Sequence, residues 1–332
     1  MTSAESSLPP VCVLGLGLIG GSLLRAAADL TPSFGWSRSA VTRQLASVDG
    51  FDVVDDLTAT LLRAVREDAL VVLAAPLSAF RDLLRAVGET APEVRLTDVA
   101  GVKQPVADLV LDLAPRARFV GSHPMAGTEH SGWAAGNPDL FRDAAWVTCL
   151  DDATPVADWT PVARLALAVG SRVVPAETGA HDSAVALVSH LPHLLALTLA
   201  EVGAGGGPLA LALAAGSFRD GTRVAATRPA LIRAMCETNR EALVDALDEA
   251  LGRLGVARAS LASTGSLQKI TDGGHAARLA FEARYAALID VTLHGDDLVD
   301  QLLSVGSAGG FVTGITGPDG APRIDARYPD PD

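Results

Sequence analysis

The stretch GSHPMAGTEHSG, residues 121–132, holds the side chain best suited to move a proton. His123 follows the strand-like run Arg118 to Val120 and precedes Pro124 and Gly127, which places it on a turn at a strand end. An imidazole accepts or donates a proton near neutrality, its unperturbed pKa being about 6.5. His123 is therefore the first candidate for a general base, set against a histidine merely hydrogen-bonded inside a loop. A second grouping, HDSAVALVSHLPH at 181–193, puts His190 and His193 three residues apart on one helical face. A metal needs a third ligand that this spacing does not supply, and no HExxH is present, so two satisfied helix histidines and no metal site are expected. A third grouping, FRDGTRVAATRP at 218–229, gathers Arg219, Arg223 and Arg228 in an acidic chain. Solvation explains one or two of them, and bidentate binding of a substrate carboxylate would explain one.

These residues need elements to hold them. Val11 to Leu14 reads as a short apolar strand, GLGLIG follows at 15–20, and a helix-forming run continues from Ser22 to Asp29. A GxGxxG between strand and helix is a dinucleotide-binding pattern, although the same pattern alone is weak. Gly15 permits the tight turn, Gly17 lets a pyrophosphate approach the backbone, and Gly20 lets helix and strand pack closely. Leu18 and Ile19 open the helix, whose N-terminal amides face the phosphates. The second strand, Phe34 to Trp36, ends in Ser37, Arg38 and Ser39, where a site for NAD would carry an acid for the ribose 2′-hydroxyl. Serine and arginine suit a 2′-phosphate, so the reading favours NADP over NAD, against a merely solvated Arg38.

Further strands at Ala69 to Ala74, Val94 to Val99, Arg118 to Val120, Ala145 to Leu150 and Ser171 to Val174 alternate with helices. That alternation predicts a doubly wound α/β sheet, whose ligands bind at the carboxyl ends of the strands. After Pro175 the chain turns Ala- and Leu-rich with helical spacing to about Val299, broken at 203–208 and 273–274. The segment from Ser304 onwards is rich in Gly, Pro and Asp, with a possible hairpin at Gly310 to Ala326.

The 332 residues suffice for two domains with separate cores. With 49% hydrophobic and 20% charged residues the composition is that of a globular protein. A net charge of −13 argues against nucleic acid or an anionic membrane as partner. Cys12, Cys149 and Cys236 lack CxxC spacing and read as buried thiols in a reducing compartment. The opening MTSAESSLPP has neither a basic nor an apolar region and is not read as a signal peptide. Ala184 to Ala200 is apolar but carries Ser189, His190, Pro192 and His193, so a buried helix and a cytoplasmic protein are expected. So apolar a helical half also predicts a homodimer.

Taken in order, GLGLIGGS, TDVAGVK at 97–103, GSHPMAGTEHSG, HDSAVALVSHLPH and FRDGTRVA resemble the prephenate dehydrogenase family of tyrosine biosynthesis. HPMAG together with SHLPH is specific to that family rather than to dinucleotide folds at large. The resemblance implies a Rossmann-type doubly wound domain over 8–176, an all-α dimerisation and substrate domain over 177–303, and a C-terminal tail over 304–332. It implies NAD(P)-dependent oxidative decarboxylation of prephenate or of its amino counterpart arogenate, a choice the sequence leaves open. His123 would take the proton of the ring hydroxyl while hydride leaves the same carbon. Arg223, by its match to FRDxTR, would hold a substrate carboxylate, and His193 would lie near the substrate side chain. Thr128, Glu129 and Asp182 match positions that line or gate the site, and His190 receives no direct role.

One departure stands out. Many relatives carry a serine in the GSVK segment that bonds the catalytic histidine, and here that position is Gly101. His123 must then be oriented by water, by the cofactor or by a side chain such as Ser122, which is also a candidate substrate contact. A β-hydroxyacid dehydrogenase shares the two-domain plan but needs a lysine on the first helix of the second domain. The run from Asp182 to Val202 has none, the only lysines being Lys103 and Lys269. A non-catalytic NADP-binding protein would have no use for His123 and Arg223.

Overall fold

The structure is a computed structural model, described over residues 8–128 and 130–330. Five strands, β1 (Val11–Leu14), β2 (Ser33–Trp36), β3 (Leu70–Leu73), β4 (Arg95–Asp98) and β5 (Arg118–Val120), form a parallel sheet in the order β2-β1-β3-β4-β5. VCVL in β1 and LVVL in β3 bury every side chain, as strands covered on two faces must. Strand periodicity sorts them between two cores. Val11 and Val13 pack with Leu23 and Leu24 of α1 (Leu18–Ala28), whereas Cys12 and Leu14 pack on the opposite face. That opposite face is covered by α3 (Leu57–Arg66), α4 (Phe80–Thr90) and α5 (Gln104–Leu113). α2 (Ala40–Val48), between β2 and α3, is capped by Ser39, whose hydroxyl accepts from the Thr42 amide at 3.2 Å. The expected doubly wound arrangement is present, with its switch point at β1.

The chain then leaves this sheet. β6 (Ser122–Pro124), β7 (Ala145–Cys149) and β8 (Arg172–Ala176) belong to a second sheet of order β6-β7-β8-β10-β11-β9, rather than extending the first. The Ser122 amide marks the exit, since it donates to the Asp98 side chain at 3.1 Å. α6 (Val156–Ala168) contributes Trp159, Val162 and Leu165 to the core shared with α1.

The other half of the second sheet comes from the end of the chain. β9 (Leu288–Leu293), β10 (Phe311–Thr316) and β11 (Arg323–Pro329) join it, with Val312 of β10 opposite Val173 of β8. The last helix, Leu298–Ser307, lies so close to β8 that a Cβ on Gly306 would stand 1.7 Å from the Pro175 carbonyl oxygen. Arg164 on α6 donates to the Gly317 carbonyl at 2.5 Å, and the Thr160 hydroxyl donates to that of Asp319 at 3.1 Å. The β10–β11 hairpin matches expectation, but residues 304–330 are an integral layer of the first unit rather than a tail. The compact units run to His181 together with 287 onwards, and from Asp182 to Ala286. The expected helical span to 303 is thus corrected, because Leu288–Leu293 finds a strand partner in β11.

The second unit is helical. After α7 (Thr178–Val185) a π-helical turn over Ala186–His190 leads into α8 (Leu191–Gly205). α9 (Gly207–Ala212), α10 (Gly216–Thr222), α11 (Pro229–Thr238), α12 (Arg240–Ser263) and α13 (Gln268–Ala283) follow. Its core is small, with Ile232, Cys236 and Leu243 at the centre. Leu187, Val188, Leu199, Leu211, Leu254 and Phe281 are exposed, so the apolar 184–200 stretch is not the buried helix expected.

Candidate active site

The turn after β1 has the form a dinucleotide requires. Gly15 has φ +112°, and a Cβ there would lie 2.6 Å from the Ala75 amide nitrogen. A Cβ on Gly20 would fall 1.9 Å from the Gly15 carbonyl oxygen, so that glycine lets α1 pack on the turn. A Cβ on Gly17 would meet nothing within 4 Å, consistent with a face kept clear for a ligand. Leu18 and Ile19 form the first turn of α1, which has no side-chain cap, so its amides suit a phosphate. A crevice of about 320 Å³ continues from Gly15 and Gly17 to Ser37, Arg38 and Ser39. Arg43 donates to the carbonyls of Ser37 at 2.6 Å and Arg38 at 3.2 Å and pairs with Asp55 at 3.2 Å. That fixes the backbone and leaves the Arg38 side chain exposed at the crevice. These residues fit a dinucleotide.

The loop after β6 is pinned to the same region. Trp133 donates its indole N–H to Asp49 at 2.7 Å and lies under the Arg25 guanidinium, 3.5 Å from ring centroid to Cζ. The neighbouring Gly132 lines the crevice.

His123 occupies the middle of β6, opposite Val147 of β7, and is half-buried. Its neighbour Ser122 faces the interior, as successive strand residues must alternate. There the Ser122 hydroxyl donates to the Asp98 carbonyl at 2.6 Å and accepts from the Trp146 indole at 3.0 Å and the Thr97 hydroxyl at 3.1 Å. Fully buried and engaged, Ser122 neither contacts substrate nor orients His123 through its hydroxyl, which corrects both expectations.

Around Ser122 lies a buried ion pair that sequence reasoning missed. The Lys103 ammonium, 1% exposed, donates to Asp98 Oδ2 and, at 2.6 Å, to the Ser122 carbonyl. Asp98 also accepts from the amides of Ala100 at 2.9 Å and Ser122 at 3.1 Å. Burial pushes the Asp98 carboxyl up, while the Lys103 ammonium and the two amides pull it down. The signal available beforehand was one of only two lysines, placed five residues after the last acid of a buried strand.

On its other side His123 meets a second histidine. Its Nδ1 lies 2.9 Å from Nε2 of His181, which is 3% exposed, with the rings 73° apart. The Nε2 edge looks towards Gly101, where an added Cβ would stand 3.7 Å from Cε1 and 3.8 Å from Nε2. These are ordinary contacts, and Gly101 is not among the positive-φ glycines, so the backbone does not itself demand glycine there.

Thr128 is exposed, its hydroxyl accepting from the His130 amide at 3.2 Å, and Glu129 lies outside the described residues. The remaining expected residues belong to the helical unit. Asp182 is buried, and its carbonyl accepts from the Asn239 side chain at 2.7 Å. Asn239 also donates to His190 Nδ1 at 3.2 Å, which gives His190 a structural partner. His193 donates from Nδ1 to the Ser189 carbonyl at 2.8 Å, so the neutral ring carries its lone pair on Nε2. Arg219 is drawn to Asp220 at 3.8 Å, whereas the exposed Arg223 pairs with no acid among the described residues.

A turn that fits a dinucleotide and a half-buried histidine in the same unit are what an oxidoreductase that uses a nicotinamide dinucleotide needs. Family models described as the nucleotide-binding and dimerization domains of prephenate dehydrogenase match residues 34–175 and 177–266, and the chain belongs to the prephenate dehydrogenase family. It is 34% identical over 263 residues to a cyclohexadienyl dehydrogenase of Zymomonas mobilis, covering 76% of this chain and 88% of that one. A prephenate dehydrogenase of Bacillus subtilis is 30% identical over 246 residues, 72% of this chain and 66% of the other. A Corynebacterium glutamicum crystal structure, provisionally described as a prephenate dehydrogenase, superposes with a TM-score of 0.81 at 51% identity, covering 84% and 89%.

Proposed function

We propose that this protein is a prephenate dehydrogenase, converting prephenate to 4-hydroxyphenylpyruvate and carbon dioxide. The observation that carries the reading is His123, held on β6 by the Lys103–Asp98–Ser122 network, in the same unit as the glycine cradle. His123 takes the ring-hydroxyl proton as hydride leaves the carbon bearing that hydroxyl, and the ring carboxylate is then lost as the ring becomes aromatic. The bound nicotinamide supplies the hydride acceptor. Arg223 would hold a substrate carboxylate and His193 would lie near the substrate side chain, while Thr128, Glu129 and Asp182 match positions that line or gate the site. Gly15 and Gly20 shape the turn on which Gly17 and the first-turn amides of Leu18 and Ile19 would hold the pyrophosphate.

The preferred cofactor is NADP, because Ser37 and Arg38 stand where a 2′-hydroxyl would call for an acid, and the N-terminus of α2 follows them. The working form is a homodimer, supported by the dimerization-domain match and by the exposed apolar side chains of the helical unit. We place it in the cytoplasm. Thr178–Gly205 is long and apolar enough to cross a membrane by length and composition, but His190 and His193 lie within it.

The deciding experiment is spectrophotometric. Purified protein should reduce NADP when prephenate is added and not without it, and His123→Asn should lower kcat by about 10² to 10⁴ with cofactor affinity retained. Faster turnover of arogenate than of prephenate would change the substrate, and near wild-type turnover by the variant would remove His123 from the mechanism.

A further inference from the structure

The contact between His123 and His181 has a chemical consequence that rests on the proposed role of His123 as base. Two neutral imidazoles joined through Nδ1 and Nε2 at 2.9 Å share one proton, and it can sit on either ring. If His181 donates, His123 carries its own proton on Nε2 and cannot accept another there. If His123 donates from Nδ1, its Nε2 presents a lone pair towards position 101. Only the second arrangement makes a base of the edge that faces Gly101.

We propose that His181 is the positioning residue for His123, accepting the Nδ1 proton and so fixing both the ring plane and the base-competent tautomer. Orientation by an acceptor on the far nitrogen is how a catalytic imidazole is generally held. Here a buried neutral ring takes the place that a carboxylate often fills. Gly101 gives no hydroxyl and the Ser122 hydroxyl is committed to Asp98, Trp146 and Thr97, so neither of those side chains orients the ring. In the proton-transfer step His123 Nε2 gains the hydroxyl proton of the substrate while Nδ1 keeps its hydrogen bond to His181. The positive charge then rests on a ring already held in place. A strand end with a short side chain at 101 is thereby supplied with a base oriented from behind.

The test separates this from a purely structural role. Nitrogen-15 spectra of histidine-labelled full-length protein, without substrate, should show neutral His123 protonated at Nδ1 with Nε2 bare. That measurement stands whichever substrate the enzyme turns over, so it can fail while the proposed activity holds, and the reverse. His181→Gln places an acceptor oxygen near the former Nε2 and should keep kcat within about tenfold of wild type. His181→Leu should lose about a hundredfold or more in kcat at nearly unchanged cofactor KM, with His123 spread over both tautomers. Nδ1–H in wild type together with rescue by glutamine supports the proposal. An Nε2–H tautomer in wild type overturns it, as does a folded leucine variant with wild-type kcat, or equal loss in both folded variants. If neither variant folds, the wild-type spectrum alone decides.

Discussion

The Lys103 ammonium donates to the carbonyl of Ser122 at 2.6 Å, so a lysine with almost no exposed surface grips the backbone one residue before His123. Removing it strands the Asp98 carboxylate. Lys103→Met should destabilise the protein by about 3–5 kcal/mol, the range for breaking a buried pair from one side. Asp98, already pushed up by burial, must then be protonated to remain inside. A group protonated more readily when folded gives stability that is lost as pH rises, so the deficit relative to wild type should widen from about pH 4 upwards. Thermal denaturation at several pH values checks this, and a deficit that shrinks with rising pH contradicts it.

Arg38 is exposed at the end of β2, its backbone carbonyl braced by Arg43. Arg38→Ala should lower kcat/KM for NADP by about 1.5–3 kcal/mol in transition-state terms while leaving NAD nearly unchanged. A wild type that uses NAD as well as or better than NADP would refute the reading.

For Arg223, which pairs with no acid among the described residues, replacement by alanine should raise KM for prephenate about tenfold to a hundredfold. The cofactor KM should hardly move. A parallel rise in both constants would assign Arg223 to the fold instead.

Gly101 admits a side chain, since the added Cβ would make only ordinary contacts with the His123 ring. Gly101→Ala should therefore be near neutral, and Gly101→Ser neutral or modestly faster where its hydroxyl replaces a bridging water costing at most about 2 kcal/mol. Severe loss in both variants with weakened cofactor binding would mean that the space is reserved for the nicotinamide.

The parallel strands, the glycine turn and His123 were legible because each rests on a local pattern. Four-residue apolar runs, a strand–GxGxxG–helix order and a histidine after a strand need no distant partner to be recognised. Leu288–Leu293 was overlooked inside a long helix-forming stretch, although LIDVTL alternates Ile289, Val291 and Leu293 with Asp290 and Thr292 in the period of a strand, and its pairing with β11 fixes the assignment. The His123–His181 contact spans 58 residues, and nothing local in the HD dipeptide announces it. The inward turn of Ser122 was within reach, because a strand that presents His123 to a ligand must turn its neighbour away.

The return of the chain at Ala287 bears on how the protein is made. Until β9, β10 and β11 have been made, the sheet that carries His123 has only β6, β7 and β8, and the edge of β8 is bare. The helical unit, 182–286, is by then already synthesised. The unit begun first is thus the last to close, and through that interval an unpaired apolar edge is exposed to other nascent chains.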